Sequence, residues 1–319
     1  MKQRVHVVAG VLDNARGEIL VARRFDHAHQ GGLWEFPGGK VEAAESPRVA
    51  LARELDEELG VGVEAARPLI RVRHDYADVR VLLDVWRVTT WSGRIHGREG
   101  QSLKWLAAHA LRELPMPAAD EPVVTALRLP ERYLITPSPG RDRESFLAAL
   151  GASVDAGVRL VALRARELAP ADLVALCREA AALCHRRGAH LLLNGDPALL
   201  AESGADGVHL DSVRLMSTRS RPVGEASWLA ASCHDARELA RAASVGADFV
   251  VLSPVAATPS HAHAKPLGWQ RFEALVEEVN LPVFALGGMG PEHLDAAWRH
   301  GAQGIAAIRA LWRGSAQQR

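Results

Sequence analysis

Three glutamates, Glu54, Glu57 and Glu58, recur at spacings of three and four, which puts them on neighbouring turns of one face wherever the segment is helical. Carboxylates this close repel one another, and helix stability does not call for them. A hard divalent cation turns the repulsion into coordination, and an all-oxygen donor set suits Mg²⁺ or Mn²⁺. A solvated acidic helix face is the competing reading of the same residues. The helix has its own punctuation. Ser46 supplies a capping hydroxyl, Pro47 stands where no backbone N–H is missed, and Gly60 sits where a left-handed cap ends the segment. Val49, Leu51, Ala52, Leu55 and Leu59 are the expected apolar side.

The surroundings extend this into a long fixed-spacing pattern. Gly39, Glu45, Arg53, Glu54, Leu55, Glu57, Glu58, Gly60 and Val61 follow a loop reading Trp34-Glu35-Phe36-Pro37-Gly38-Gly39-Lys40. Together they resemble the Nudix box and the loop before it. The resemblance implies a loop–helix–loop metal site that hydrolyses a nucleoside diphosphate linked to another group. It makes Glu54, Glu57 and Glu58 the metal carboxylates, with Arg53 and Glu45 bracing helix and loop. Bound Mg²⁺ neutralises phosphate oxygens and acidifies a coordinated water, which a glutamate orients or deprotonates. Glu54 is the favoured base, with Glu57 and Glu58 as principal ligands, although sequence does not separate these roles. The expected products are a nucleoside monophosphate and pyrophosphate.

Three details resemble the MutT type within that family. Gly97-Arg98-Glu99-Gly100-Gln101 is similar to a loop whose glutamate reaches back to the metal, so Glu99 is the candidate fourth carboxylate. Arg24, His29, Trp34, Phe36, Gly38 and Gly39 occupy the loop and strand that line the nucleotide pocket in MutT-like proteins. Aromatic and cationic side chains there stack on or hydrogen-bond a base, while core packing is the alternative for Trp34 and Phe36. Pro117-Ala118-Ala119-Asp120-Glu121-Pro122-Val123 is similar to a segment whose asparagine reads the oxidised guanine. Asp120 takes that asparagine's place. An ionised carboxylate accepts hydrogen bonds and donates none, so a base face presenting a carbonyl requires a protonated Asp120 or a shifted base. Asp120 is also a suitable N-cap for the helix it precedes.

Composition bounds the partners. The 319 residues suffice for two domains, and Lys plus Arg equals Asp plus Glu at 38 each. There is thus no electrostatic case for polymeric nucleic acid, and a nucleotide partner is small. Cys177, Cys184 and Cys233 form no complete disulfide set and lack zinc-type spacing, which reads as reduced, mostly buried thiols in a cytoplasmic protein. The apolar run near the N-terminus is too short for a membrane span and lacks a signal-peptide cleavage pattern.

The elements that must position these residues follow from periodicity. Residues 4–12, 18–23, 68–73, 79–90 and 103–106 read as strands, and 121–129 reads as a closing helix, giving an α+β sandwich over 1–129. Past a short junction, eight apolar strands alternate with helical stretches. They cover 133–136, 159–164, 190–194, 207–210, 228–232, 249–253, 283–287 and 304–308, which predicts a lean (β/α)₈ TIM barrel over 132–313.

Within the barrel, Gly204-Ala205-Asp206-Gly207-Val208-His209-Leu210, Gly246-Ala247-Asp248-Phe249-Val250, Ser253-Pro254-Val255 with Thr258-Pro259-Ser260, and Ala285-Leu286-Gly287-Gly288-Met289 resemble the thiamine-phosphate synthase and TenI group. The resemblance carries Arg164, Asn194, Ser232, Gly287 and Gly288 onto ligand-binding positions and His234 onto the catalytic histidine of the TenI-like thiazole tautomerases. The chain departs from the synthases at Ala162, where they have glutamine. Gly195 and Arg214 replace their metal-site carboxylates, and Arg309 replaces a serine. Losing two Mg²⁺ carboxylates implies loss of diphosphate activation. His261, His263 and Lys265 read as a solvated loop.

The expected protein is a two-domain enzyme. Its first domain is an 8-oxo-dGTP diphosphatase-like Nudix hydrolase that cleans the nucleotide pool and so supports DNA repair and replication fidelity. Its second is a barrel that binds a phosphorylated thiazole or pyrimidine. One rival is a Nudix hydrolase of thiamine-pathway diphosphates paired with a tautomerase barrel. Another is a non-catalytic, phosphate-binding barrel.

Overall fold

Alternating and continuous apolar runs on either side of the Pro47–Leu59 helix form the strands of the first unit. β1 (Gln3–Leu12) is the hub. It runs parallel to β6 (Val79–Gly93) and antiparallel to β4 (Gly38–Lys40), and β6 pairs antiparallel with β5 (Val61–Asp75), so the sheet order is β4-β1-β6-β5. A second, antiparallel sheet has the order β3-β2-β7, from β2 (Ile19–Arg23), β3 (Trp34–Glu35) and β7 (Leu103–Leu106). The computed structural model describes residues 2–258 and 265–314, and this sandwich belongs to the first of two compact units, Met1–Arg128 and Leu129–Arg319. Strands β5 and β6 are longer than periodicity predicts. Register shifts near Val63, Ala65 and Pro68 absorb a proline and a broken alternation that end the pattern in the letters.

Helix α1 (Pro47–Leu59) packs on one face of the sandwich through Ala50, Leu51, Leu55 and Leu59, against Val8, Leu12, Leu20, Val61 and Val88. The expected contribution of Val49 is corrected: it is 58% exposed. At about 100° per residue it lies on the side away from Leu51, and Ala50 fills the buried position. On the other face, α2 (Glu121–Arg128) brings Val123 and Val124 onto Val11, Val21, Val72 and Val85.

The second unit is a closed barrel of eight parallel strands in sequential order. They are β8 (Arg132–Ile135), β9 (Leu160–Arg164), β10 (His190–Asn194), β11 (Gly207–Leu210), β12 (Trp228–Cys233), β13 (Phe249–Leu252), β14 (Val283–Leu286) and β15 (Gly304–Ala307). Tyr133, Leu160, Leu192, Trp228, Phe249 and Phe284 fill the interior, with Tyr133, Phe249 and Phe284 in mutual ring contact at 5.5–5.6 Å. Leu129 packs into this layer and its carbonyl accepts from Gln303 Nε2 at 3.1 Å, so the unit boundary lies one residue earlier than the sequence pattern placed it. The three cysteines are buried and unbridged. Burial pushes the Cys177 and Cys184 thiols up to about 12. Among the described residues no helix is long and apolar enough to cross a membrane. His261 and His263 lie outside the described residues.

One polar group inside the barrel titrates in an accessible range. His209 on β11 is 1% exposed, and burial holds its pKa down to about 4, with the Asp211 field opposing and that of Arg166 assisting. The unfolded chain protonates this histidine below about pH 6.5, the folded chain only below about pH 4. The unfolded state therefore binds more protons in between. The stabilisation is full above about pH 6.5 and is lost as pH falls toward 4, by on the order of 3 kcal/mol. Calorimetric unfolding of full-length protein across this range should show the barrel transition losing stability faster in the wild type than in His209→Asn. Parallel pH profiles would contradict the assignment.

Candidate active site

The phase of α1 sorts its carboxylates. With Leu51, Leu55 and Leu59 buried, Glu58 lies about 20° from the Leu51 direction, Glu54 about 60° and Glu57 about 120°. Their surroundings follow. The Glu57 side chain is 55% exposed, that of Glu54 15%, and Glu58 turns inward to accept from the Gly38 N–H at 3.2 Å. Ser46 Oγ accepts from the Val49 N–H at 3.4 Å and Gly60 closes the helix at φ 72°, so both helix ends are set by the residues that sequence marks.

Arg53 organises the acids. Its guanidinium donates to both Glu45 oxygens at 3.0 Å, to Glu54 at 2.8 Å, to Glu57 at 3.2 Å and to the Lys40 carbonyl at 3.1 Å. One cation thereby ties the loop after β4 to the helix, and its hydrogen bond holds Glu45 below the usual carboxylate range. Gly39 permits the fit, because a Cβ there would fall 2.3 Å from Glu54 Oε2. Glu58 is left without the arginine. Burial first, then the fields of Glu35, Glu99 and Glu54, push its pKa up to about 8, against the opposing Gly38 hydrogen bond. As placed, no three His, Cys, Asp or Glu side chains among the described residues converge closely enough to hold an ion. The donor set nonetheless fits a hard divalent cation. Glu58 is a half-buried carboxyl under like charge, and a cation would relieve that field while competing with Arg53 for Glu54 and Glu57.

A cavity of about 520 Å³ opens beside this helix. Glu58, Glu99, Gly38 and Gly39 border it, as do Arg24, His29, Phe36 and Asp120. Val5, Val7, Ala9, Val81 and Leu83 give it an apolar wall. Of the expected nucleotide residues, Trp34 is the exception. It is 8% exposed, packs in the core with Ile19, Val21 and Leu111, and carries the Lys104 ammonium 4.5 Å from its ring centroid. The cavity lining includes its neighbours Glu35 and Phe36 but not Trp34. Glu45, Arg53, Glu54 and Glu57 stand outside the lining, on the helix side.

Asp120 is 5% exposed and lines the cavity. It sits in a 3-10 turn, Ala118–Asp120, that runs straight into α2, and among the described residues its carboxyl makes no capping bond. Burial, reinforced by Glu35 and opposed by Arg24, pushes its pKa well above the ordinary carboxylate value. Two residues that sequence reasoning passed over join it. Glu35 pairs with Arg24 and is itself raised by burial. Tyr76, between β5 and β6, accepts from the Ala119 N–H at 3.4 Å and meets His29 edge-on. Glu35 lay within the quoted loop motif, but Tyr76 carried no local signal.

In the barrel, Arg164, Asn194 and Ser232 stand at the C-terminal ends of β9, β10 and β12. His234 Nδ1 bonds Glu238 Oε2 at 2.8 Å, and Glu238 also accepts from Ser212. Gly287 (φ 98°) and Gly288 (φ 69°) line a separate cavity of about 330 Å³ with Ser253, Thr258, Met289 and Arg309. A Cβ on Gly287 would lie 2.8 Å from Pro254 Cα, so both conformation and space demand glycine there. Gly195 offers no side chain, and Arg214 is held by Asp211 at 2.6 Å.

Comparison with known proteins matches the two units separately. A NUDIX domain family model covers residues 8–126, and a thiamine monophosphate synthase model covers residues 132–311. The 8-oxo-dGTP diphosphatase of Escherichia coli is 33% identical over 126 residues, covering 40% of this chain and 98% of that one. The CTP pyrophosphohydrolase of Escherichia coli is 36% identical over 122 residues, 38% of this chain and 90% of the other. The thiamine-phosphate synthase of Synechocystis is 32% identical over 180 residues, 56% of this chain and 51% of the other.

The Gly39 contact gives a direct check on the carboxylate site. Gly39→Ala should push the Glu54 carboxylate off the loop and weaken Mn²⁺ binding, read by water-proton relaxation, by tenfold or more. The thermal midpoint should fall by no more than a few degrees, because the substitution touches a side-chain end. Unchanged Mn²⁺ affinity would separate Glu54 from cation binding.

Proposed function

Because the chain belongs to the Nudix hydrolases over its first unit and to the thiamine monophosphate synthase and TenI family over its second, we propose that this diphosphate-bond hydrolase acts on oxidised purine nucleoside triphosphates. 8-oxo-dGTP is the leading substrate and would give 8-oxo-dGMP and pyrophosphate. The observation that supports the reading is one cavity whose lining carries both kinds of group. Glu58 and Glu99 border it where phosphates would lie, and Asp120, Phe36 and Tyr76 border it where a base would lie.

The division of labour follows. Glu57 and Glu58, with Glu54 and Glu99, would hold Mg²⁺ or Mn²⁺. When bound, that cation supplies phosphate neutralisation and a water of lowered pKa. Arg53 keeps Glu54 against the loop through Glu45 and the Lys40 carbonyl, which suits Glu54 to orient the attacking water. Burial favours the protonated form of Asp120, which offers one O–H donor and one carbonyl acceptor, the pair an asparagine amide offers. The amide-for-acid exchange is therefore chemically small while Asp120 stays protonated.

The test is kcat/KM for 8-oxo-dGTP, dGTP and CTP in the full chain. Glu57→Gln should lower 8-oxo-dGTP turnover by orders of magnitude while the fold persists. Asp120→Asn should keep the 8-oxo-dGTP preference near the wild-type value, and Asp120→Ala should cut it about ten- to a hundredfold, since a buried partner left unpaired costs about 1–3 kcal/mol. The pH dependence separates acid from amide. As pH rises through the raised Asp120 pKa, the wild type loses its donor and its preference, whereas Asp120→Asn holds both. A CTP preference, or identical pH profiles, would reject the base-reading role.

For the barrel, Gly195 and the Arg214–Asp211 ion pair leave no metal carboxylates at the positions the synthases use. The barrel therefore serves as a site for a phosphorylated thiazole or pyrimidine and does not condense the two. Purified full-length protein supplied with both substrates and Mg²⁺ should form no thiamine phosphate, and detectable product would overturn this. Loss of thiazole tautomerisation in His234→Ala would instead assign the barrel that activity.

A further inference from the structure

A hydrogen-bonded chain of three side chains runs through the barrel interior. Tyr133 Oη lies 2.7 Å from His209 Nδ1, and His209 Nε2 lies 2.7 Å from Ser232 Oγ. Tyr133 is 0% and His209 1% exposed, while Ser232 is partly exposed near the C-terminal end of β12, the end at which barrels carry their sites. We propose that Tyr133 fixes His209 as its Nε2–H tautomer, and so makes Ser232 a one-way hydrogen-bond donor to an oxyanion at the barrel mouth.

The argument is a count of protons. Among the described residues, the Tyr133 hydroxyl has one hydrogen-bonding partner, His209 Nδ1. Were Nδ1 protonated, the tyrosine would accept from it and its own O–H would be buried without an acceptor, at a cost of about 1–3 kcal/mol. The tyrosine therefore donates and Nδ1 accepts. The neutral ring then carries its proton on Nε2, and that proton goes to Ser232 Oγ. The doubly protonated ring is disfavoured because no carboxylate touches it and burial opposes the charge. With one lone pair engaged by histidine, Ser232 has its own O–H left, directed away from the ring. A serine that donated to Nε2 would be a candidate nucleophile with a histidine base. The Tyr133 proton rules out that polarity.

A fixed donor selects an acceptor. Arg164 and Asn194 end the neighbouring strands β9 and β10, are paired in register, and among the described residues the Arg164 guanidinium makes no hydrogen bond. A hydroxyl donor, an amide and a guanidinium at the same end of β12, β10 and β9 suit a phosphate or carboxylate group without a metal. This second half rests on the reading of the barrel as a site for a phosphorylated ligand. The tautomer does not.

The two halves are tested separately on full-length protein with ¹⁵N-labelled histidine. Long-range ¹H–¹⁵N spectra, with His209→Asn identifying the signals, should show Nδ1 as an acceptor and Nε2 protonated at neutral pH in the absence of ligand. Ser232→Ala should leave that tautomer in place, because Tyr133 still donates. Tyr133→Phe should give averaged shifts of two tautomers. An Nδ1–H ring in the wild type, a switch of tautomer in Ser232→Ala, or an unaltered Nε2–H ring in Tyr133→Phe would overturn the lock. Inorganic phosphate should then shift the His209 Nε2–H signal saturably in the wild type, with affinity about tenfold lower in Ser232→Ala. No shift in the wild type, or equal affinity in both, would overturn the oxyanion while leaving the lock standing.

Discussion

Burial of Leu51, Leu55 and Leu59 fixes the rotation of α1, and the chemistry of the first unit depends on that rotation. A helix has one free angle once its apolar stripe meets a sheet. Here that angle carries Glu58 under the loop after β3, sets Glu54 against Gly39 and leaves Glu57 in solvent. The carboxylates thus differ in hydration although they share a face. Arg53 then offsets their repulsion unevenly. It bonds Glu45, Glu54 and Glu57 but not Glu58, so the carboxyl that burial and neighbouring acids push up to about 8 is the one left without a cation.

The barrel is built on a different constraint, the satisfaction of polar groups in an aromatic interior. Tyr133 fills the centre of the interior with Phe249 and Phe284, and its hydroxyl needs a partner there. His209 supplies one, and the need is passed outward to Ser232 at the mouth. The ring that stabilises the core is thereby the ring that orients the mouth. A packing residue and a residue of the barrel mouth are thus linked by two hydrogen bonds that join β8, β11 and β12.

The order of elements was legible in the letters because both patterns are strong. Ser46-Pro47 and Gly60 mark the box helix, and eight apolar strands at regular spacing mark the barrel. Strand β5 was legible only in part, since Pro68 and its bulges break the alternation that pairing survives. Val49 was misplaced because an apolar letter two positions before Leu51 reads as core until the helical angle is drawn. Trp34 and Phe36 are two residues apart in one motif. Only the structure shows that Phe36 borders the cavity while Trp34 sits under Lys104 in the core. Tyr76 stayed hidden because its role arises from a turn that faces a segment over forty residues away.

Asp120 marks the limit of what residue type can say. Read as an aspartate, it is an ionised acceptor and a mismatch for the amide that the resemblance to the MutT type implies at this position. Read at its address, between Ala119 and the buried face of α2 with Glu35 nearby, it is pushed toward the neutral acid, which donates and accepts as the amide does. Two residues that differ in charge on paper thus converge in hydrogen-bonding capacity once burial acts on one of them. The convergence is conditional, because an amide keeps its donor at every pH and an acid keeps it only below its pKa. Sequence likeness therefore points to the position, whereas the protonation state that burial favours determines which hydrogen bonds its side chain can make.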